Sequence, residues 1–251
     1  MDIVGSVRFI KDKLRPNRYR LDEFLISGGE KRPFALIFPG GGYAEVCSFA
    51  EGAPYAKALN KNGYSAFVLY YSVRGKAKFP APVEDAARAL RYIIDNADRL
   101  NVDVNNYTVW GSSAGGHLAG FFSSASGCEK YGLPKPKATV LCYPVVTMGE
   151  YAHKGSRKYL IGENASDELV KMTSVERLVD KNYPPTFVWY SAADKTVDPE
   201  NSKMLIKALA DNGVRHKSME FGTVSHGMGL GVGTECEPWF GEALDFWRKS
   251  C

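Results

Sequence analysis

Ser113 is the residue of this sequence whose neighbours most strongly indicate covalent chemistry. It lies at the centre of a G-x-S-x-G motif, between Gly111 and Gly115. Residues 107–110 are β-branched or aromatic and favour a strand, whereas apolar residues recur at helical spacing after Ser113. A serine between a strand and a helix lies on a tight turn that exposes its hydroxyl and brings the next amide near an anion site. Because the motif also occurs in ordinary loops, a nucleophilic role depends on partners elsewhere in the chain.

A serine hydroxyl becomes nucleophilic when a base lies within hydrogen-bond reach, and the chain offers four histidines. His117 is predicted to pack inside the helix that begins at the motif. His153 lies in an irregular segment, and His216 lies within a predicted strand. His226 follows the last predicted strand in a glycine-rich loop, at the sheet edge where ligands bind in open α/β folds. We therefore predict that His226 is the base.

The base requires an acid that fixes its tautomer, and this acid is expected between the serine and the histidine along the chain. Two aspartates, Asp194 and Asp198, follow the predicted strand at 185–191. Asp198 precedes Pro199 and an apolar-periodic helix, so it is predicted to cap that helix, with proline as the first helical residue. Asp194 has no such structural role, and we predict that it is the orienting acid.

Acyl transfer also needs amide donors for the oxyanion that forms on the carbonyl. Gly40, Gly41 and Gly42 directly follow an apolar strand at 34–38, where missing side chains leave the backbone N–H groups accessible. A flexible turn is the alternative interpretation of this triplet. We expect the amides of Gly41, Gly42 and Ala114 to form the oxyanion hole.

Alternating strands and helices must position these residues. The predicted strands are residues 7–10, 19–26, 34–38, 65–71, 107–110, 138–143, 185–191 and 215–221. The predicted helices are residues 53–62, 82–97, a helix that begins at Ser113, 198–210 and 237–249. Residues 145–184 are less regular and are interpreted as a small insertion, with short helices near 150–161 and 166–170. The pattern predicts an α/β fold with a mostly parallel sheet of about eight strands and helices on both faces.

Length and composition fit one globular domain over residues 1–251, with 145–184 as a minimal lid. The 251 residues are 45% apolar and 24% charged, with a net charge of +4 and no dense basic run, so nucleic acid is not expected as a partner. The sequence contains no run of about 18 apolar residues, so no membrane span is expected. The first residues lack a basic segment followed by an apolar one, so we expect a cytoplasmic location without a signal peptide.

The five cysteines are odd in number and lack C-x-x-C spacing, so we expect free thiols and no zinc site. The sequence does not determine the oligomeric state, and a homodimer is left open.

Taken together, these segments resemble the α/β-hydrolase superfamily, specifically its small acetyl-esterase and acetylxylan-esterase-like branch, which is similar to the hormone-sensitive-lipase group. The matching segments are P-G-G-G-Y at 39–43, G-S-S-A-G-G-H-L-A at 111–119, P-P-T-F-V-W at 184–189, D-K-T-V at 194–197 and H-G-M-G-L at 226–230. They occur in family order over residues 34–230. Pro39 is a departure, because lipase-like relatives have histidine before the glycines.

The resemblance implies a serine esterase that needs no metal or cofactor and acts on small-molecule esters. It implies short acyl groups, with acetyl on a sugar or xylo-oligosaccharide as the expected substrate. Tyr43 and Trp189 are candidates for lining the alcohol side of the site, although aromatic residues there are also typical of a core. Three alternatives stay open. The protein could be an amide hydrolase of the same fold, such as an arylformamidase or small peptidase, or a non-catalytic binding protein on this scaffold. The third alternative is that the motif segments do not meet in the folded chain.

Overall fold

Within the residues that the structure describes, a sheet of eight strands runs through the centre of the molecule. The computed structural model describes residues 3–8 and 20–250. The strands are β1 (Ile3–Arg8), β2 (Arg20–Ile26), β3 (Arg32–Phe38), β4 (Ser65–Tyr70), β5 (Val102–Ser112), β6 (Ala138–Cys142), β7 (Thr186–Ser191) and β8 (His216–Phe221). They lie in the order β1-β2-β4-β3-β5-β6-β7-β8, and β2 is antiparallel to both its neighbours while the other pairs are parallel. The predicted mostly parallel sheet is therefore confirmed.

Helices cover both faces of this sheet. They are α1 (Ser48–Glu51), α2 (Ala53–Lys61), α3 (Ala81–Asp95), α4 (Ala97–Leu100), α5 (Ser113–Ser123), α6 (Lys154–Leu160), α7 (Asp167–Thr173), α8 (Glu200–Asp211) and α9 (Trp239–Arg248). Side chains of α3, α5 and α8 belong to one buried cluster, and side chains of α2 and α9 belong to another. Alternate residues of β3 point into the two clusters, with Phe34 and Leu36 in the first and Ala35 and Ile37 in the second.

This two-sided cover explains why the central strands are apolar throughout. Strands β6 and β7 are buried along their whole length, as parallel strands between two helix layers must be. Strand β8 lies at the edge of the sheet and exposes most of its polar residues. Strands β3, β5 and β7 run parallel, so the segments that follow them emerge at one edge of the sheet.

Some predicted boundaries were wrong for reasons that lie in strand pairing. The first strand covers Ile3–Arg8 instead of 7–10, because it pairs residue by residue with β2 from Ile3–Ile26 to Arg8–Leu21. Residues 9 and 10 of that prediction lie outside the described residues. Strand β5 begins at Val102, five residues before the predicted start, because Val102 pairs with Arg32 across a register shift. The polar residues between Val102 and Tyr107 have little intrinsic strand propensity, so only pairing extends the strand.

The segment 145–184 contains α6 and α7, close to the two short helices predicted there. Each helix begins with a side-chain cap: His153 Nδ1 lies 3.3 Å from the amide of Ser156, and Ser166 Oγ accepts from the amide of Leu169 at 3.2 Å. Among the described helices, none combines the length and apolar character needed to cross a membrane.

Candidate active site

Ser113 lies on the sharp turn between β5 and α5. Its φ of 53° is in the left-handed region, which is strained for a residue with a side chain, and its side chain is largely buried. A Cβ on Gly111 would overlap the carbonyl group of Gly115, and a Cβ on Gly115 would overlap the carbonyl oxygen of Phe38. Both glycines of the motif are therefore required by the close approach of strand and helix.

The imidazole of His226 connects Ser113 to Asp194. Its Nε2 lies 2.9 Å from Ser113 Oγ, and its Nδ1 lies 2.6 Å from Asp194 Oδ2. An ionised carboxylate only accepts hydrogen bonds, so the proton is assigned to Nδ1, and Nε2 is left to accept from the serine hydroxyl. In this arrangement a histidine can take the serine proton while the aspartate stabilises the resulting imidazolium.

Asp194 is held in its charged form. Burial alone would raise its pKa, but the hydrogen bond with His226 and two backbone donors lower the pKa below the ordinary value. Those donors are the amides of Thr196 and Val197, which lie 2.8 and 3.0 Å from Oδ1. The carboxylate is thus oriented by the loop after β7 before any ligand binds.

Asp198 lies at the start of α8, where the sequence predicted a helix cap. Its Oδ1 accepts a hydrogen bond of 2.9 Å from the amide of Glu200, the first residue of α8. Pro199 has helical angles but precedes the assigned start of the helix by one residue. The two aspartates are thus separated into a cap and a partner of His226.

The glycine loop after β3 lies beside Ser113. Gly40 cannot supply an oxyanion donor, because its N–H already donates to Glu51 Oε2 at 2.6 Å. Among the described residues, no acceptor binds the N–H of Gly41 or Gly42. The N–H of Ala114 is in the first turn of α5, where a helix provides no internal acceptor. Within the described residues, the amides of Gly41 and Gly42 thus have no hydrogen-bond acceptor, and that of Ala114 has none inside its helix.

Two residues that sequence reasoning missed support this loop. Glu51 is 4% exposed, and its two oxygens accept from the Gly40 amide and from Tyr143 Oη, the latter at 2.7 Å. Burial raises the pKa of Glu51, although both hydrogen bonds oppose this effect. Tyr143 follows β6 at the edge where the site lies, and that position is the only signal that could have identified it.

The two aromatic residues predicted to line the alcohol side are core residues instead. Tyr43 is 1% exposed, and its hydroxyl donates to His117 Nδ1 at 2.9 Å. Trp189 is fully buried against Tyr143 and Trp239. The prediction was wrong for two reasons. Trp189 lies on β7, which is covered on both faces, and the hydroxyl of Tyr43 is bonded to the buried ring of His117.

His117 packs inside the molecule, as its helical position indicated. Burial lowers its pKa to about 4, so the ring is neutral near pH 7. Its Nε2 lies 2.7 Å from the carbonyl oxygen of Thr173, which only accepts, so Nε2 carries the proton and Nδ1 accepts from Tyr43. His216 likewise serves structure, since its Nδ1 bonds the carbonyl of Val214 beside β8.

A cleft of about 370 Å³ opens in front of His226. Its lining includes Gly41, Gly42, Phe49, His153, Tyr159 and His226. Phe49 is 83% exposed, which is unusual for a large apolar side chain. His153 faces the same cleft from segment 145–184, and burial together with nearby His226 lowers its pKa. Sequence reasoning placed His153 in the right segment but gave it no role at the site.

Within the described part of the chain, no group of three or more histidine, cysteine or acidic side chains could hold a metal ion. Cys47, Cys128, Cys142 and Cys236 are free thiols, and Cys251 lies outside the described residues.

The strand order, together with a serine, a histidine and an aspartate at one sheet edge, defines the class of α/β hydrolases. The family model of BD-FAE matches residues 21–209, and the chain belongs to the BD-FAE family.

Two bacterial proteins are similar to most of this chain. The endo-1,4-beta-xylanase B of Butyrivibrio fibrisolvens is 34% identical over 215 residues, which are 82% of this chain and 34% of that protein. The acetylxylan esterase of Xylanibacter ruminicola is 29% identical over 217 residues, which are 84% of this chain and 44% of that protein. This chain therefore spans less than half the length of either relative.

Two solved structures are similar over nearly the whole chain. The acetyl ester-xyloside bifunctional hydrolase from Caldicellulosiruptor lactoaceticus has 34% identity and a TM-score of 0.86, covering 95% of this chain and 90% of that one. MGS-M1, an alpha/beta hydrolase from a Medee basin deep-sea metagenome library, has 27% identity and a TM-score of 0.79, covering 99% and 98%.

Proposed function

We propose that this protein is a serine esterase that removes short acyl groups, chiefly acetyl, from sugars or xylo-oligosaccharides. The single observation that carries the proposal is the hydrogen-bonded chain from Ser113 through His226 to Asp194. A serine in a strained turn, with an oriented imidazole at 2.9 Å, has the requirements of an activated nucleophile.

The reaction proceeds in two halves. Ser113 Oγ attacks the ester carbonyl while His226 Nε2 takes the serine proton, and Asp194 stabilises the imidazolium. The amides of Gly41, Gly42 and Ala114 bind the oxyanion, and His226 then protonates the departing alcohol. A water molecule, deprotonated by His226, attacks the acyl-enzyme, and the acid leaves as Ser113 recovers its proton.

The substrate class is supported by the relatives and by the cleft. One relative is named as an acetylxylan esterase, and a structural neighbour is named as an acetyl ester-xyloside bifunctional hydrolase. The cleft is open and is bounded by the glycine loop on one side and by His153 and Tyr159 of segment 145–184 on the other. We propose that this segment is a minimal lid and that the alcohol portion rests on Phe49 and His153.

The test compares substrates that separate the possible chemistries. Purified protein is assayed with p-nitrophenyl esters of increasing chain length, with acetylated xylo-oligosaccharides by acetate release, and with an arylformamide. We expect the highest kcat/KM on acetyl esters. Faster turnover of the arylformamide would replace the esterase by an amide hydrolase, and a preference for long chains would contradict a short acyl group.

The nucleophile is tested separately with a fluorophosphonate probe. Ser113→Ala is expected to abolish both labelling and turnover. Ser112→Ala is the matched control, because Ser112 Oγ pairs with Tyr55 at 3.2 Å rather than with His226, and it is expected to retain labelling. Unchanged labelling of Ser113→Ala would exclude Ser113 as the nucleophile, and absence of labelling in the wild type would favour a binding protein.

A further inference from the structure

Glu51 lies directly behind the reacting serine. Its carboxylate is buried and accepts from the Gly40 amide at 2.6 Å. A Cβ on Gly40 would lie 2.7 Å from Glu51 Oε2 and 2.8 Å from Ser113 Cβ, so no side chain fits between them. The carboxylate thus holds the first glycine of the loop whose next two amides are the proposed oxyanion donors.

The second oxygen of Glu51 reaches the loop that carries His226. Tyr143 Oη donates to Glu51 Oε1 at 2.7 Å and accepts from the Gly229 amide at 3.2 Å. The ring of Tyr143 packs edge-on against the imidazole of His226, with centroids 4.9 Å apart. One chain of hydrogen bonds therefore runs from the glycine loop to the histidine loop.

A buried carboxyl group is unfavourable unless its oxygens are hydrogen-bonded, and both oxygens of Glu51 accept from fixed donors, the Gly40 amide and Tyr143 Oη. Loops are ordinarily the mobile part of such a fold, whereas an oxyanion site works because its donors do not have to reorganise. Pro39, just before the triplet, has no N–H, so Gly40 provides the first amide by which the loop can be held. Tyr143 has a φ of 38°, a strained conformation that the surrounding bonds must maintain.

We propose that Glu51 is a positioning residue that fixes the glycine loop and, through Tyr143, the His226 loop around Ser113. This inference rests on the proposed function and adds a residue outside the group that touches the substrate. It requires that loss of Glu51 harm the transition state more than the ground state.

The experiment measures kcat, KM and the Ki of phenylboronic acid for Glu51→Gln, Glu51→Ala and Tyr143→Phe, with p-nitrophenyl acetate as substrate. Phenylboronic acid forms an anionic tetrahedral adduct with the serine, so its Ki reports the oxyanion site. We expect kcat/KM to fall about 10-fold for Glu51→Gln and about 100-fold for Glu51→Ala, with Ki rising by similar factors. Tyr143→Phe combined with Glu51→Ala should be no worse than Glu51→Ala alone, because both act through one chain of bonds.

The matched controls are Glu23→Gln and Tyr92→Phe. Glu23 is also a buried carboxylate that accepts from a tyrosine, Tyr92 Oη at 2.9 Å, but it lies on β2, away from Ser113. Thermal melting and fluorophosphonate titration give the folded, reactive fraction of every variant. We expect the controls to lose stability without raising the Ki of the boronic acid.

The proposal is overturned if Glu51→Gln and Tyr143→Phe both keep kcat/KM and Ki within twofold of the wild type. It is equally overturned if the controls raise Ki as much as the Glu51 variants do. If the Glu51 variants do not fold, Tyr143→Phe decides, because it leaves the bond between Glu51 and Gly40 intact. Full activity of Ser113→Ala would defeat the proposed function itself, whereas an inactive Ser113→Ala with normal Glu51 variants defeats only this inference.

Discussion

The carboxylate of Asp194 and the imidazole of His226 lie 2.6 Å apart, although 32 positions separate them in the chain. This bond assigns the proton to Nδ1. Asp194→Asn would present an amide N–H to the ring and favour the tautomer that cannot accept from Ser113. We expect kcat for p-nitrophenyl acetate to fall roughly 10⁴-fold, with the fold retained.

Asp198→Asn is the control for this variant, because asparagine keeps an oxygen acceptor for the Glu200 amide. It should keep near wild-type kcat. Steady-state kinetics of both variants check the assignment, and an equal loss in the two would contradict it.

Stability should depend on pH through His117. Its pKa is about 4 in the folded protein against an ordinary 6.5, because burial disfavours the imidazolium. Between these values the unfolded chain binds more protons, so this contribution rises with pH and is fully present above pH 6.5. The contribution of His117 to the free energy of unfolding is then about 3 kcal/mol, since each pKa unit corresponds to about 1.36 kcal/mol.

His117→Gln should remove this contribution. The free energy of unfolding is measured with urea at pH 4 and at pH 7. From the lower to the higher pH it should rise by about 3 kcal/mol more in the wild type than in the variant. Asp85, whose pKa burial raises to about 6, gives a slope of the opposite sign but is present in both proteins, so it cancels. Identical slopes in the two proteins would refute the assignment of a neutral His117.

The sharp turn between β5 and α5 should tolerate no side chain at Gly115. A Cβ there would overlap the carbonyl oxygen of Phe38, so Gly115→Ala must displace the strand or the helix. We expect a loss of about 3 kcal/mol or more, in the range of severe overpacking, together with loss of turnover.

Gly241→Ala provides the comparison for this change. Gly241 lies within α9, and an added Cβ would meet open space. Its substitution should stabilise the protein by about 0.5–1 kcal/mol. Thermal melting of both variants gives the answer, and a Gly115→Ala protein as stable as the wild type would exclude the tight packing described here.

Phe49 is expected to contribute to binding of the alcohol portion of the substrate and not to the chemical step. It lines the cleft and is 83% exposed. Phe49→Ala should raise KM for acetylated xylo-oligosaccharides about 3- to 10-fold, consistent with loss of one aromatic contact, and leave kcat for p-nitrophenyl acetate unchanged.

Val232→Ala is the control, since Val232 is 73% exposed but does not line the cleft. The two KM values are compared on the same oligosaccharide. A rise of equal size in both variants, or none in Phe49→Ala, would remove Phe49 from the substrate site.

Local patterns along the chain were sufficient for much of the fold. The apolar runs and the glycine motif around Ser113 predicted the parallel sheet, because burial on both faces leaves a continuous apolar signal. Asp198 could be recognised as a cap from its neighbours alone, since capping depends on residues within one turn. Strand β1 and the start of β5 could not be placed, because their bounds depend on pairing with distant residues.

The sequence by itself determined which side chains follow which strands, and thereby the edge at which Ser113, Asp194 and His226 emerge. Tertiary structure alone decided which remaining groups support them. Glu51 and Tyr143 come from separate elements and meet only after the strands have paired, and Tyr43 turns inwards because His117 offers an acceptor. Hydrogen bonds between distant segments leave no periodic trace in the chain, so they become visible only once the packing is complete.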